Sequence, residues 1–234
     1  MILRVTLDTR ARAGNLRLVF MQRTLQPELL DSLPPEHPDA QHSRRDLRLI
    51  NRIMGNHRWF ARTLPSLLRP GEQVLEIGSG TGELGVRLAT KGVSVTGLDL
   101  CPRPRNWPAN GGWESGDLRS FAGYDRFPVI IGNLIFHQFS PEDLAALGGK
   151  LRASARLIVA CEPRRTRGHQ ALFAALAPVF GANRVTRHDG RVSIGAGFQA
   201  GELPEALGLD EQNWNYRCQI TALGAYRMVA IRRT

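Results

Sequence analysis

Residues 74–85 read VLEIGSGTGELG, a pattern typical of a buried strand, a glycine-rich turn and the start of a helix. Glycine adopts backbone conformations that other residues rarely reach, so a ligand can come close to the bare amides of such a turn. These amides lie at a helix N-terminus, where they attract negatively charged groups. The stretch therefore predicts a cofactor site at the end of a strand in an α/β protein.

Two cofactors fit this turn. Gly80, Gly82 and Gly85 satisfy the dinucleotide fingerprint GxGxxG, which is a weak signal on its own. In the other interpretation the important residue is Glu76, two residues before Gly78. A carboxylate aimed into the turn repels a pyrophosphate, whereas it attracts the ammonium group of S-adenosylmethionine. The position of Glu76 therefore favours S-adenosylmethionine over a nicotinamide dinucleotide.

Two further acidic residues follow predicted strands. A second apolar segment, residues 93–98, ends at Asp99. Ligands of parallel sheets bind beyond the carboxyl ends of the strands, so Asp99 is placed to hydrogen-bond both hydroxyls of a ribose. Asp117 is a candidate for the adenine amino group and is equally well explained as an ordinary turn residue. These acids indicate a nucleoside but do not choose between the two cofactors.

In this order, the motifs resemble those of class I S-adenosylmethionine-dependent methyltransferases, of the small-molecule type that is similar to quinone and polyketide methyltransferases. The resemblance covers residues 70–162 and rests on segments 76–82, 97–99, 116–118 and 128–140. It implies a Rossmann-like, doubly wound, seven-stranded and mostly parallel sheet with an antiparallel terminal hairpin. We expect S-adenosylmethionine to be contacted by Glu76, Gly78, Ser79, Gly80, Gly82, Asp99, Leu100, Asp117, Leu118, Asn133 and Leu134.

The chain departs from the family pattern directly after Asp99. Residues 101–108 read CPRPRNWP and contain three prolines. Because proline does not continue a helix interior, the helix that usually follows the second strand is expected to be short or replaced by a loop. The adenine side of the pocket is then expected to differ from the family pattern.

With 234 residues and an apolar fraction of 42%, the chain suits one α/β domain with an extension. We predict an N-terminal extension and linker over residues 1–41, a helical cap over 42–70 and a methyltransferase domain over 71–234. Residues 1–20 have no consistent period, and the sequence from Met21 resembles a natural beginning. We interpret the segment before Met21 as a poorly ordered extension or the product of an upstream start.

Local patterns predict the elements of the cap and the sheet. A capping box at Ser43 and Asp46 predicts that the first cap helix begins there. Strand-like and helical segments then alternate, which favours a parallel doubly wound sheet. We expect strands near residues 73–77, 93–98, 113–115, 128–132 and 156–161, helices near 82–90, 141–151 and 168–179, and a closing antiparallel pair at 214–220 and 225–232.

The loop after the fourth predicted strand is the best candidate for the chemistry. It carries His137, which follows a strand carboxyl end beside the glycine turn. A histidine positioned to accept a proton contributes about 10²–10⁴-fold to such a reaction. We interpret His137 as a candidate catalytic base or substrate contact, or alternatively as a residue that bonds the backbone and shapes the cofactor pocket.

Four more residues are candidate substrate contacts. His57 and Trp59 open a predicted cap helix and either face the pocket or, for Trp59, pack against the sheet. Glu162 and Arg164 resemble the Glu-Pro-x-Arg sequence of quinone and polyketide methyltransferases, and either bind substrate or pair with each other. Residues 193–198 form a glycine-rich aromatic stretch that either lines an apolar acceptor pocket or forms a turn.

Charge and cysteine content narrow the function classes. The net charge of +10 is typical of nucleic-acid binding, but the basic residues are scattered arginines with only two lysines. The arginine cluster over residues 44–52 looks like the solvated side of a helix. The three cysteines have no metal-binding or paired spacing, which indicates a reducing cytoplasm and no metal site. No apolar run is long enough to span a membrane.

We therefore expect a cytoplasmic methyltransferase that O- or C-methylates a small phenolic, quinone-like or polyketide-derived acceptor. The first alternative is an RNA methyltransferase or a non-catalytic RNA-binding module, and a less favoured one is an NAD(P)-dependent oxidoreductase. The loop around His137 lacks the Asn/Asp-Pro-Pro-aromatic signature that the family associates with amino-group methylation on adenine or glutamine. This absence argues against nucleic-acid and protein-amide acceptors.

Overall fold

The computed structural model describes residues 21–233, in which seven strands form one sheet. Their order across the sheet is β3-β2-β1-β4-β5-β7-β6, and β7 runs in the direction opposite to the other six strands. The predicted doubly wound sheet with its closing antiparallel pair is thereby confirmed, and so are the predicted strand positions. The strands are β1 (Val74–Ile77), β2 (Val95–Asp99), β3 (Trp113–Ser115), β4 (Val129–Asn133), β5 (Leu157–Pro163), β6 (Trp214–Ile220) and β7 (Ala225–Arg232).

Seven α-helices accompany the sheet in the described residues. The sequence predicts α3, α4 and α5 in these places and a helical cap where α1 and α2 lie, but it does not predict α6 or α7. The helices are α1 (Pro38–Met54), α2 (Asn56–Thr63), α3 (Glu83–Ala89), α4 (Pro141–Ser154), α5 (Arg167–Val179), α6 (Arg184–Ala196) and α7 (Glu202–Ala206).

The central strands are apolar on both faces because helices cover both faces of the sheet. Leu75 and Ile77 of β1 point into one core, which they share with Leu147 of α4. Val74 points into the opposite core, together with Phe60 of α2 and apolar residues of α3. A parallel sheet buried in this way needs continuous apolar strands, and this requirement makes β1, β4 and β5 recognisable in the sequence.

The proline-rich segment after β2 contains no helix, as predicted. Its Trp107 is buried and packs edge-on against Trp113, with ring centroids 4.9 Å apart. The indole fills space beside α3 that a helix would otherwise cover. The loop is therefore a packed replacement for the usual helix.

The predicted start of the first cap helix is wrong. The helix α1 begins at Pro38, whose fixed φ suits a first helical position, and His37 Nδ1 accepts a hydrogen bond from the amide two residues on at 3.1 Å. Ser43 and Asp46 lie inside α1 and are buried. They accept hydrogen bonds from the Thr186 hydroxyl at 3.1 and 2.8 Å. They join α1 to α6 instead of capping a helix.

The interpretation of residues 193–198 as a turn is also wrong, because most of the stretch belongs to α6. Asn183 caps this helix by accepting a hydrogen bond from the Thr186 amide at 2.8 Å. Gly190 resembles a helix breaker in the sequence. In the fold it lets α6 approach α5, since a Cβ there would lie 2.2 Å from the Phe173 ring.

The chain before α1 forms an N-terminal strap, defined as residues 21–37. The Arg23 guanidinium donates to two carbonyls in the loop after β4 and one in α6, at 2.8–3.0 Å. Asp189 of α6 accepts hydrogen bonds from the amides of Leu29 and Leu30 at 2.8 and 3.0 Å. The strap is thus attached to the loop after β4 and to α6 by directional bonds.

The structure describes only part of the predicted extension over residues 1–41. Its described portion consists of the strap and the beginning of α1. The proposed boundaries of the extension, the cap and the methyltransferase domain stay predictions, and the prediction for residues 1–20 lies outside the described residues. Within residues 21–233, none of the helices combines the length and the apolar character that crossing a membrane requires.

Replacing Gly190 with alanine is expected to lower the free energy of unfolding by about 1–3 kcal/mol, because the added methyl group overlaps the Phe173 ring. The matched control is Gly149, which is exposed in α4 and would have nothing within 4 Å of an added Cβ. Gly149→Ala is expected to raise the free energy of unfolding by up to about 1 kcal/mol. Urea denaturation measures both changes, and equal stabilisation of the two variants would contradict the close contact between α5 and α6.

Candidate functional site

A cavity of about 930 Å³ lies beyond the carboxyl ends of β1, β2 and β4. This is where open parallel sheets bind their ligands. Its turn end is lined by the glycine turn at 78–81 and by the loops after β2 and β3. Its outer end is lined by the strap and by side chains of α1, α5 and α6. The two ends belong to one continuous cavity.

The glycines of the turn differ in which groups lie beside them. Gly78 and Gly80 have φ values of +67° and +52°, which residues with a Cβ rarely adopt. A Cβ at Gly80 would meet nothing within 4 Å, so this position faces open space. A Cβ at Gly82 or Gly85 would instead lie 2.9 or 2.3 Å from the Trp107 ring. Gly82, predicted to contact the cofactor, is absent from the cavity lining and allows α3 to pack on the proline-rich loop.

Glu76, at the end of β1, is a buried carboxylate that lines the cavity and has no cation beside it among the described residues. Its Oε2 atom has no hydrogen-bond partner in that part of the chain. Burial, together with the carboxylates of Asp99 and Glu83, holds the pKa of Glu76 well above its usual range. An ammonium group at the turn end would supply the missing partner, so this site fits the amino group of S-adenosylmethionine.

Asp99 joins the end of β2 to the glycine turn. Its carboxylate accepts hydrogen bonds from the amides of Gly80 at 2.7 Å and Cys101 at 2.9 Å. Asp117 also lines the cavity, and its carboxylate is paired with the Arg119 guanidinium at 2.6 Å. The other predicted cofactor residues that line the cavity are Gly78, Ser79, Gly80, Leu100, Leu118, Asn133 and Leu134.

The chain turns sharply where β4 reaches the cavity. Leu134 has a φ of +59°, which is strained for a leucine. Its amide donates to the Cys161 carbonyl at 2.8 Å, which holds this conformation in place. Next to it, Asn133 Nδ2 donates to Asn51 Oδ1 at 3.0 Å. This bond ties the middle of α1 to the end of β4, and Asn51 is a site residue that sequence reasoning missed.

The interpretation of the arginines at 44–52 as a solvated face needs a correction. Arg44 and Arg48 line the turn end of the cavity, because α1 lies across it. Arg48 Nη1 is 3.6 Å from Glu83 Oε1 at the start of α3. These two arginines bring positive charge to the same end of the cavity as Glu76 and Asp99.

Glu162, at the end of β5, is fully buried and organises the loop after β4. Its carboxylate accepts hydrogen bonds from the amides of residues 135, 136 and 137, at 2.9, 2.9 and 3.3 Å. Its Oε2 also lies 2.6 Å from His137 Nδ1. Glu162 is absent from the cavity lining, and its oxygens are bonded to this loop and not to Arg164, whereas its contact with substrate stays a prediction.

His137 lies between two carboxylates. Its Nε2 atom is 3.4 Å from Glu28 Oε1, and the same oxygen accepts a hydrogen bond from the Ser193 hydroxyl at 2.5 Å. Burial alone lowers the pKa of a histidine, but Glu162 and Glu28 outweigh it and raise the pKa of His137 to about 9. At neutral pH the ring therefore holds a proton on each nitrogen. This arrangement does not favour the predicted role of His137 as a base.

The remaining candidate contacts lie in different places. His57 lines the cavity, and burial lowers its pKa. Trp59 does not line it and packs against Phe60 and under the Arg227 guanidinium, whose carbon lies 5.3 Å from the ring centroid. Arg164 is also outside the cavity lining, and its backbone amide donates to the Gly224 carbonyl at 2.8 Å.

The outer end of the cavity is mostly apolar, with carboxylates at one side. The carboxylates belong to Glu28, Asp31, Asp46 and Asp189. Ser193 and Ile194 of α6 line it as well, which agrees with the expectation that residues 193–198 contribute to an apolar pocket. The apolar side chains come from the strap, α1, α5 and α6, and are Leu30, Leu33, Leu47, Ile50, Leu172, Phe173, Leu176, Phe180 and Ile194.

No family model matches the chain. Several solved structures are similar to it in fold. The plantazolicin methyltransferase BpumL in complex with SAH is 12% identical, with a TM-score of 0.65 over 85% of this chain and 92% of that one. A TehB-like SAM-dependent methyltransferase from Corynebacterium glutamicum is 15% identical, with a TM-score of 0.53 over 82% and 99% of the two chains.

A third structure concerns the conversion of a disulfide bond into a thioacetal group during echinomycin biosynthesis. It is 20% identical, with a TM-score of 0.52 over 76% of this chain and 81% of that one. At these identities the likeness shows the fold. The chain has the Rossmann-like fold of class I S-adenosylmethionine-dependent methyltransferases, as the sequence motifs predict.

The free energy of unfolding is expected to fall as pH rises from 7 to 10. His137 has a folded-state pKa of about 9 against an ordinary value of 6.5, so its contribution is complete below pH 6.5 and is lost through pH 9. A shift of this size corresponds to on the order of 3 kcal/mol. Denaturation of the wild type and of His137→Gln across this range measures the effect, and identical pH slopes in the two proteins would contradict it.

Proposed function

We propose that this protein is a class I S-adenosylmethionine-dependent methyltransferase that O-methylates a small phenolic acceptor. The observation that carries the proposal is Glu76, a buried carboxylate with an unpartnered oxygen, among the described residues, beside the glycine turn. The likeness to methyltransferase structures, one of them in complex with SAH, supports the same cofactor. When bound, S-adenosylmethionine supplies an electrophilic methyl group on a sulfonium.

The residues at the turn end bind and align the cofactor. Glu76 takes its ammonium group, and Asp99 takes the ribose hydroxyls. Arg44 and Arg48 offer positive charge to its carboxylate, and Gly80 leaves room for close approach to the backbone. Alignment of donor and acceptor in one continuous cavity contributes roughly 7–11 kcal/mol to such a reaction.

The outer end takes the acceptor. Its apolar lining suits an aromatic ring or a polyketide-derived chain. Glu28 and the protonated His137 lie where the outer end meets the loop after β4, so a hydroxyl group there finds hydrogen-bond partners. A quinone-like acceptor or methylation on carbon fits the same lining and is distinguished by the position of the methyl group in the product.

None of the three cysteines forms a disulfide, which supports a cytoplasmic location.

Glu76→Gln is expected to weaken SAH binding about tenfold or more, because a charge-assisted hydrogen bond is lost. The same change is expected to raise the stability of the ligand-free protein, since it removes a buried carboxylate that lacks a partner among the described residues. Glu36→Gln removes an equal charge from an exposed position outside the cavity lining and is expected to change the affinity less than about threefold. Calorimetry measures SAH and NADH binding in parallel, and binding of NADH alone would contradict the cofactor assignment.

The acceptor is tested by incubating the protein with S-adenosylmethionine and separate panels of phenols, hydroquinones, primary amines and RNA. Mass spectrometry is expected to detect methylated phenols, with the methyl group on oxygen. The carboxylates of the outer end also suit a cationic amine, so methylation of the amines alone would contradict a phenolic acceptor. Methylation of RNA alone would support the alternative substrate class.

A further inference from the structure

We propose that Glu28 is a catalytic residue that accepts the proton of the acceptor hydroxyl, and that His137 and Glu162 are positioning residues that hold its carboxylate in place. This inference rests on the proposed function and deepens it. It requires an acceptor atom that carries a proton, which favours methylation on a heteroatom over methylation on carbon.

The first step of the argument is a chain of three side chains that runs from the core to the cavity. Glu162 is fully buried and is fixed by three backbone amides. It orients His137 through a 2.6 Å contact with Nδ1, and this ring position directs Nε2 at Glu28. Of the three, Glu28 reaches farthest into the cavity, with 14% of its side chain exposed against 4% for His137 and none for Glu162.

The second step concerns the two oxygens of Glu28. Oε1 accepts from the Ser193 hydroxyl at 2.5 Å and faces His137 Nε2 at 3.4 Å. Oε2 has no hydrogen-bond partner among the described residues, yet it is not among the buried unpartnered atoms. Since Glu28 lines the cavity, Oε2 is the oxygen that a bound hydroxyl can reach.

The third step excludes the neighbouring groups. Both nitrogens of His137 face carboxylates, and its pKa is raised to about 9 by Glu162 and Glu28 against the opposing effect of burial. It therefore already holds the proton that a base would have to accept. Asp189 uses both oxygens to bind the strap amides and also faces His188 at 2.9 Å. Asp31 is exposed at the outer end, and among the described residues no hydrogen bond holds its carboxylate in place.

The strap fixes Glu28 along the chain. Arg23 is bonded to three carbonyls on one side of it, and the amides of Leu29 and Leu30 are bonded to Asp189 on the other. A residue held on both sides by directional bonds loses little further entropy when it engages a ligand. Glu28 is thus positioned by its own segment as well as by His137.

The reaction balances in atoms and charge. The acceptor oxygen forms a bond to the methyl carbon while the bond from the sulfonium to that carbon breaks, which leaves a neutral thioether. The acceptor proton passes to Glu28 Oε2. One positive charge on sulfur and one negative charge on Glu28 disappear together, and the proton leaves to solvent after product release.

The activity test uses Glu28→Gln with a series of substituted phenols of decreasing pKa. We expect kcat to fall about 10²-fold or more on phenol, with KM changed less than about threefold. The loss is expected to shrink to below about tenfold on 4-nitrophenol, because an acceptor that ionises by itself needs no base. Glu28→Asp keeps a carboxylate and is expected to retain more activity than Glu28→Gln. The control is Glu36→Gln, an exposed strap residue outside the cavity lining, which is expected to keep the wild-type rate.

Two readouts do not depend on turnover. NMR of histidine-labelled protein is expected to show the pKa of His137 lowered by about one unit or more in Glu28→Gln and unchanged in Glu36→Gln. With SAH present, absorbance titration of bound 4-nitrophenol is expected to show a pKa raised in the wild type by the facing carboxylate. In Glu28→Gln this pKa is expected to drop by about one unit or more.

The outcomes separate this inference from the proposed function. A wild type that fails to bind SAH, or that methylates none of the phenols, would overturn the proposed function and this inference with it. A wild type that methylates phenols, together with a Glu28→Gln rate equal to that of Glu36→Gln, would overturn the inference alone. An equal loss of rate on every phenol, with no change in the bound 4-nitrophenol pKa, would overturn it in favour of a structural role for Glu28.

Discussion

The architecture of the cavity depends on the burial of one charged group, Glu162. A carboxylate with no exposure is tolerated only where donors and a cation compensate the loss of water. Here three amides of the loop after β4 and the ring of His137 provide that compensation. The loop is consequently fixed against β5, and its carbonyls become the anchor for Arg23. The strap and the outer end of the cavity are organised around this arrangement.

A second buried carboxylate, Glu76, is the opposite case. It lies on β1, which β4 separates from β5, and it is also buried, but one of its oxygens has no partner among residues 21–233. Protein interiors rarely leave such an atom unsatisfied, and each exception calls for an explanation. The two glutamates lie towards the carboxyl ends of strands in the same sheet, but their surroundings differ. The chain itself satisfies Glu162, whereas Glu76 is suited to a ligand that carries a positive charge.

Short-range sequence patterns predict the residues of the turn end, whereas the outer end depends on contacts between residues far apart in the chain. The strand before Glu76, the glycines and Asp99 follow one another closely, so strand burial and turn chemistry identify them in the sequence. Glu28 accepts a hydrogen bond from Ser193, which is 165 residues away in the chain, and no local sequence pattern predicts this contact. Ser43 and Asp46 matched a capping pattern, but their partner is Thr186 on another helix. No local pattern explains Gly190 either, because the Phe173 ring that requires a glycine there lies on α5.

The way the strap and α1 are attached has a consequence for how the protein assembles and opens. Their hydrogen bonds to α6 span 140 to 165 residues of chain, and they are buried or partly buried. Closing such long loops costs entropy before the contacts repay it, so the outer end forms after the parallel strands have paired. Detachment of the strap would carry Glu28 out of the cavity, while the strands of the sheet kept their own hydrogen bonds.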